Sequence, residues 1–163
     1  RQLIIQETVM TAGIETDLKL QDYLPYRLSV LSNAVSRGVA ERYQRDFNIS
    51  VWQWRVMAVL GEKPGLSASQ IAEHTQMDKV AVSRAVSSLI ETGRLRRNAV
   101  QDDGRRSHLF LTAEGREIYD RIVPVARAFE ADLTQALAPD ELEVFLGLLD
   151  RLAKQVSPDA ALW

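Results

Sequence analysis

The stretch that decides the fold runs from residue 66 to residue 112 and reads LSASQIAEHTQMDKVAVSRAVSSLIETGRLRRNAVQDDGRRSHLFLT. It contains two helix-start signals, each followed by apolar residues at helical spacing. Ser67 with Gln70 forms a capping box that opens a short helix. Asp78 caps the next helix, and Gly93 ends it. Two capped helices joined by so short a turn predict a helix-turn-helix.

A basic hairpin is predicted directly after the second of these helices. Strand-like runs at about 95–100 and 106–111 flank an Asp-Gly dipeptide at 103–104, which favours a tight turn. This arrangement predicts a winged helix-turn-helix, with Arg105 and Arg106 projecting from the tip of the wing. Arginine on a narrow projection suits the minor groove of DNA, where the potential is most negative. The alternative is that both arginines pair with acidic residues of the turn.

Helical periodicity divides the second helix into two faces. The stripe predicted to face the core comprises Val82, Ala85, Val86 and Leu89. The opposite face carries cations and hydroxyls, which suit phosphate and base-edge contacts, and Val80 suits contact with a thymine methyl group. The alternative is a solvated helix face, which explains the serines well and an exposed valine poorly. The outward set is Lys79, Val80, Ser83, Arg84, Ser87 and Ser88.

The charge distribution supports a nucleic-acid partner, although the net charge of −2 alone argues against one. Residues 78–112 include seven basic and four acidic residues, whereas the whole chain has 20 basic and 22 acidic residues. A basic segment inside an acidic protein is typical of a local contact with a phosphate backbone. Arg94, Arg96 and Arg97 are therefore expected to meet phosphates, the alternative being a salt-bridged strand surface.

The remaining sequence is mainly helical. A long helix is predicted over about 23–46, and a second capping box at Ser50 opens another that extends to about Leu60. Thr112 caps a fifth helix, and Pro139 begins a sixth that carries a coiled-coil-like apolar seam over 142–156.

Several functional classes are excluded or disfavoured. Cysteine is absent, which removes disulfides and thiol chemistry. The two histidines, His74 and His108, are far apart, and no cluster has metal-ligand spacing, so neither a metal nor another cofactor is expected. No nucleophile–base pair indicates an enzyme. The chain lacks both a secretory signal and an apolar run long enough to cross a bilayer, so a cytoplasmic location is expected.

The order of elements and four local motifs resemble the multiple antibiotic resistance regulator (MarR) family. The motifs lie at 54–60, 78–84, 102–107 and 111–115, and the resemblance spans about residues 20–156. It implies a homodimer joined by its N- and C-terminal helices that binds a pseudo-palindromic operator, often as a repressor. It also implies release of DNA by a small aromatic or anionic effector. The absence of cysteine excludes the family's thiol-based sensing.

The resulting organisation has three parts. Residues 1–19 form an N-terminal arm or short helix, residues 20–48 and 113–163 form the dimerisation region, and residues 49–112 form the DNA-binding lobe. The alternative function is a winged-helix protein-interaction module that does not bind DNA, but such a module should have a neutral or acidic wing. The candidate DNA-binding residues are Ser69, Gln70, Lys79, Val80, Ser83, Arg84, Ser87, Arg97, Arg105 and Arg106.

A candidate effector site combines an aromatic wall with an arginine. Arg27, Trp52 and Arg55 are its candidate residues, because an arginine beside an aromatic ring can hold an aromatic acid. The alternative is that both Trp52 and Trp54 belong to the core or an interface, and that Arg55 pairs with an acidic residue.

Overall fold

A computed structural model describes residues 17–99 and 107–158. The described residues fall into two units that divide between Ala34 and Val35, inside the first long helix. Most of the predicted arm at residues 1–19, like the turn of the predicted wing, lies outside the described residues.

The described residues of the first unit are all exposed. It contributes a short 3-10 helix, Leu20–Asp22, and the first half of α1, which spans Leu24–Phe47. Every residue from 17 to 34 is exposed. The buried core is therefore found in the second unit.

The second unit is mainly helical and contains one antiparallel hairpin, which confirms the predicted fold class. The bounds agree with the sequence-based ones to within two residues wherever the structure describes both ends. After α1 the elements are α2 (Val51–Glu62), α3 (Ala68–Thr75), α4 (Lys79–Glu91), β1 (Leu95–Ala99), β2 (Ser107–Leu111), α5 (Ala113–Thr134) and α6 (Pro139–Val156).

Side-chain caps set the starts of α2, α3 and α4, as predicted. Ser50 Oγ accepts a hydrogen bond from Gln53 N at 3.2 Å, and Gln53 Oε1 accepts one from Ser50 N at 2.8 Å. Ser67 and Gln70 repeat this arrangement, and Asp78 caps α4. Each cap satisfies amide groups that the first turn of a helix leaves without a partner.

The hairpin receives backbone hydrogen bonds from a segment that the sequence analysis did not assign to it. In the hairpin, Leu95 pairs with Leu111. On the other side of β2, Gly65 N donates to Leu109 O at 2.9 Å, and Leu109 N donates to Leu66 O at 3.0 Å. The loop between α2 and α3 therefore ties the base of the wing to the helix-turn-helix.

The core lies among α2, α3, α4 and the base of the hairpin. The stripe predicted for α4 is buried, with none of its four members more than 5% exposed. The other buried side chains come from the second half of α1, from α2, α3, the hairpin and α5, and from the connections before α2 and α4. They include Tyr43, Ile49, Val56, Met57, Leu60, Ile71, Leu109 and Ile122.

A tight joint connects the end of α4, the start of β1 and the start of α5. Thr112 Oγ1 donates to Gly93 O at 2.7 Å and accepts from Gly115 N at 3.0 Å. Thr112 N donates to Arg94 O at 3.1 Å. A Cβ atom at Gly115 would lie 2.0 Å from Arg94 O, so only glycine fits there.

We expect Gly115→Ala to lower the free energy of unfolding by roughly 1–3 kcal/mol, because the added methyl group meets a backbone carbonyl. Gly147→Ala is the matched control, since a Cβ there has nothing within 4 Å. It should stabilise the helix by up to about 1 kcal/mol. Denaturant unfolding measures both, and equal effects would contradict the close packing at Gly115.

Candidate nucleic-acid interface

The outward face of α4 is the most complete of the predicted contact surfaces. Its exposed members are spaced at intervals of three and four residues, so they share one face of the helix. Their polar groups form no side-chain hydrogen bond or ion pair within residues 17–99 and 107–158. The buried stripe on the other side fixes the direction in which this surface points. The outward face comprises Lys79, Val80, Ser83, Arg84 and Ser87.

The prediction that Ser88 belongs to the outward face is wrong. Ser88 is half-buried, and its Oγ accepts a hydrogen bond from Gln53 Nε2 at 2.9 Å. Gln53 therefore caps α2 with its Oε1 and holds α4 with its Nε2. A serine on the border of the two faces could not be assigned from periodicity alone, because its partner lies 35 residues away in the chain.

The two candidates on α3 differ in their surroundings. Ser69 is exposed and lines an open groove of about 470 Å³ together with Glu73, Gln76 and Lys79. Gln70 is also exposed, but its Oε1 accepts the hydrogen bond from Ser67 N at 2.9 Å, so it serves as a cap. Gln76 makes the turn to α4 in the left-handed conformation, with φ of 52°.

The arginines predicted for the wing differ in their surroundings. Arg97 is exposed on β1 and has no partner among the described residues. Arg96 instead lies over the ring of Phe110, with its guanidinium carbon 4.9 Å from the ring centroid. Arg105 and Arg106 lie outside the described residues.

Arg94 is held inside the fold, which corrects the expectation that it meets a phosphate. Its guanidinium donates to Phe47 O at 3.0 Å and to Asn48 O at 3.2 Å. Both carbonyls lie at the C-terminal end of α1, where a cation is favoured by the helix dipole. Arg94 therefore ties the entry of the wing to the end of α1.

The candidate effector residues are found in different settings. Arg27 is exposed near the start of α1, in the first unit. On α2, Trp52 is 50% exposed, and the Arg55 guanidinium carbon lies 5.4 Å from its ring centroid. Arg55 donates to Ser36 Oγ at 2.9 Å and pairs with no acidic residue among the described residues, so that part of the alternative is wrong.

Trp54 belongs to the core, unlike Trp52. Its ring lies 5.8 Å from that of Tyr43 and 5.7 Å from that of Tyr119, measured between centroids. The Tyr43 hydroxyl is buried and has no hydrogen-bond partner within the described residues. Burial raises the pKa of Tyr43 to about 12, against the opposing effect of the Arg55 charge, so the hydroxyl stays neutral at physiological pH.

Within residues 17–99 and 107–158, no group of three or more His, Asp or Glu side chains could hold a metal ion. None of the helices in this part of the chain combines the length and the hydrophobicity that a membrane span requires. The exposed His108 uses its Nδ1 to donate a hydrogen bond to Gly65 O, which adds to the link between the wing and the α2–α3 loop.

Comparison with known proteins identifies the family. The MarR family model matches residues 47–106. The chain is 28% identical to the HTH-type transcriptional repressor Rv2887 of Mycobacterium tuberculosis over 141 residues, which are 86% of this chain and 97% of that protein. The family model, this relative and the similar solved structures support a MarR-family winged-helix regulator. The chain is accordingly a transcriptional regulator rather than an enzyme.

Two solved MarR-family structures extend the comparison. The PcaV transcriptional regulator of Streptomyces coelicolor, solved with its natural ligand, has a TM-score of 0.70 and 26% identity, covering 85% of this chain and 96% of that one. A MarR-family protein of Listeria monocytogenes, solved with a 26-mer DNA, has a TM-score of 0.75, covering 87% of this chain and 92% of that one. Its identity of 18% shows a common fold alone.

We expect Arg94→Ala to lower the stability of the fold and Arg97→Ala to weaken DNA binding. Loss of Arg94 leaves the Phe47 and Asn48 carbonyls without a partner, which should cost roughly 1–3 kcal/mol in the free energy of unfolding. Arg97→Ala should leave the melting temperature nearly unchanged and weaken DNA binding. Thermal melting and DNA titration of both variants check this. Normal stability of the Arg94 variant would contradict the role assigned to that side chain.

Proposed function

We propose that this MarR-family regulator is a sequence-specific repressor that binds a pseudo-palindromic operator as a homodimer. The exposed polar face of α4 carries the proposal, because a helix fixed by a buried stripe can enter the major groove and present its other face to base edges. Arg97, Arg105 and Arg106 would contact the backbone and the minor groove beside it. The proposal implies a cytoplasmic location.

The relatives support the repressor role and the DNA partner. Rv2887 is named a transcriptional repressor, and the Listeria protein was solved with a 26-mer DNA. Lys79 and Arg84, which have no partner among the described residues, supply the positive charge that a phosphate backbone selects. A winged-helix module that binds only proteins is the alternative, and it would not need these cations on α4.

Selection from a random duplex pool, followed by salt titration, tests the DNA partner. We expect enrichment of a palindromic sequence and a linear fall of log affinity with log salt concentration. Arg84→Ala should reduce the slope by about one unit if the side chain contacts a phosphate. Arg127→Ala removes an exposed charge from α5 and serves as the control. Failure to enrich any sequence would favour the protein-interaction alternative.

The homodimer is proposed from the apolar surface that the single chain leaves exposed. No residue of α6 is buried, although its seam of large apolar side chains spans four turns. In the first unit, the large apolar side chains of α1 are exposed as well. Exposed surface of this kind marks an interface, and a two-fold dimer would present two α4 helices to two half-sites. The seam comprises Leu142, Phe145, Leu149, Leu152 and Val156.

We expect Leu152→Asp to separate the dimer, because it places a carboxylate in the seam at a residue that is already 42% exposed in the single chain. Lys154→Asp puts the same group on the opposite face of α6 and should leave the dimer intact. Sedimentation equilibrium of wild type and both variants decides, with circular dichroism to check helix content. A wild-type protein that sediments as a monomer at micromolar concentration would contradict the dimer.

We further propose that a small aromatic anion bound at Trp52 and Arg55 releases the DNA. Arg55 is half-buried and lies beside an exposed indole ring, a pairing that favours a planar carboxylate. The proposal is supported by PcaV, a protein of the same fold that was solved in complex with its natural ligand. The effector must favour the DNA-incompetent conformation, since equal affinity for both shifts nothing.

Titration of aromatic carboxylates, followed by tryptophan fluorescence, tests this effector site. Benzoate and salicylate should quench the emission and weaken operator binding, and Arg55→Gln should abolish both effects. Aliphatic carboxylates of similar size serve as controls. If benzoate and salicylate bind without changing operator affinity, the site has no regulatory role.

A further inference from the structure

Val80 is the exception on the outward face of α4. Its side chain is 56% exposed, while Val82, Val86 and Leu89 on the same helix are at most 1% exposed. Exposing a single valine is common on protein surfaces and needs no explanation by itself. The position of Val80 does need an explanation, because Val80 shares the centre of the outward face with Ser83, Arg84 and Ser87.

The backbone around Val80 cannot contact DNA in its place. Asp78 Oδ1 accepts hydrogen bonds from Val80 N at 2.8 Å and from Ala81 N at 3.2 Å. The start of α4 is therefore occupied by a carboxylate, which repels a phosphate and uses the free amide groups. Of Val80 itself, only the isopropyl group therefore remains for contact, beside the ammonium group of Lys79.

The first turn of a recognition helix is where side chains reach base edges. Apart from one group, the base edges in the major groove present hydrogen-bond donors and acceptors, and valine satisfies none of these. The exception is the C5-methyl group of thymine, which 5-methylcytosine also carries. A β-branched side chain has a strongly preferred rotamer in a helix, so its methyl groups hold a fixed position.

We propose that Val80 reads a pyrimidine C5-methyl group in each operator half-site, with thymine as the natural source. This inference rests on the proposed function, and it names the feature of the DNA that this part of α4 recognises. The neighbouring Lys79 and Arg84 would position the helix on the backbone, and the valine would discriminate between bases. The operator is therefore expected to contain a conserved thymine, one per half-site, under the start of α4.

The test replaces each thymine of the selected operator by uracil, one symmetric pair at a time. Uracil keeps the pairing edge and loses only the methyl group. We expect one symmetric position at which wild-type affinity falls by about fourfold per half-site, or about 16-fold for both. Val80→Ala should bind the thymine operator more weakly and should not distinguish thymine from uracil at that position.

Two controls separate this inference from the proposed function. Ser87→Ala removes a hydroxyl group from the same face and should keep the full ratio between thymine and uracil affinities. A duplex with a cytosine–guanine pair at the same position should regain affinity when the cytosine is 5-methylated, and more so for wild type than for Val80→Ala. If wild type binds the operator but ignores every uracil substitution, or if Val80→Ala retains the effect, the methyl contact is refuted while DNA binding stands. If no operator is selected, the proposed function itself fails.

Discussion

The structure depends first on how α4 is anchored. Its four inward side chains are almost completely buried, so a rotation of the helix would expose them to water at a cost of about 1.5–3 kcal/mol for each large side chain. Gln53 adds a directional constraint, since its side chain caps α2 and donates to Ser88 at the edge of the buried stripe. The packing therefore determines which residues α4 presents to its surroundings, and every proposal about DNA recognition follows from that orientation.

A second set of contacts joins the neighbouring elements to this anchored helix. Thr112 closes the joint between the end of α4 and the start of α5, and Arg94 connects the entry of β1 to the end of α1. Backbone hydrogen bonds between Leu109 and the α2–α3 loop fix the base of the wing. All of these contacts end on backbone groups, so they fix the positions of the elements, and two of them also need the particular side chains of Arg94 and Thr112.

Local signals in the sequence were enough for the helix starts and the orientation of α4. The signals that mark a helix start, a capping residue flanked by apolar residues, lie within one or two turns of the chain. The caps at Ser67 and Asp78 and the burial of Val82 could therefore be predicted correctly. Contacts between distant segments could not be predicted in this way. Arg94 carries the same charge as Arg97, yet its guanidinium meets two carbonyls more than 45 residues earlier in the chain. Trp52 and Trp54 are two residues apart, and only packing against Tyr43 and Tyr119 shows which of them is in the core.

In the proposed complex, α4 enters the major groove while the wing lies over the minor groove, once in each half of a symmetric operator. Methylation interference distinguishes the two grooves, because dimethyl sulfate marks guanine N7 in the major groove and adenine N3 in the minor groove. We expect two clusters of interference at guanine N7, about one helical turn apart, each accompanied by interference at adenine N3 beside it. A single cluster, or interference confined to the minor groove, would contradict it.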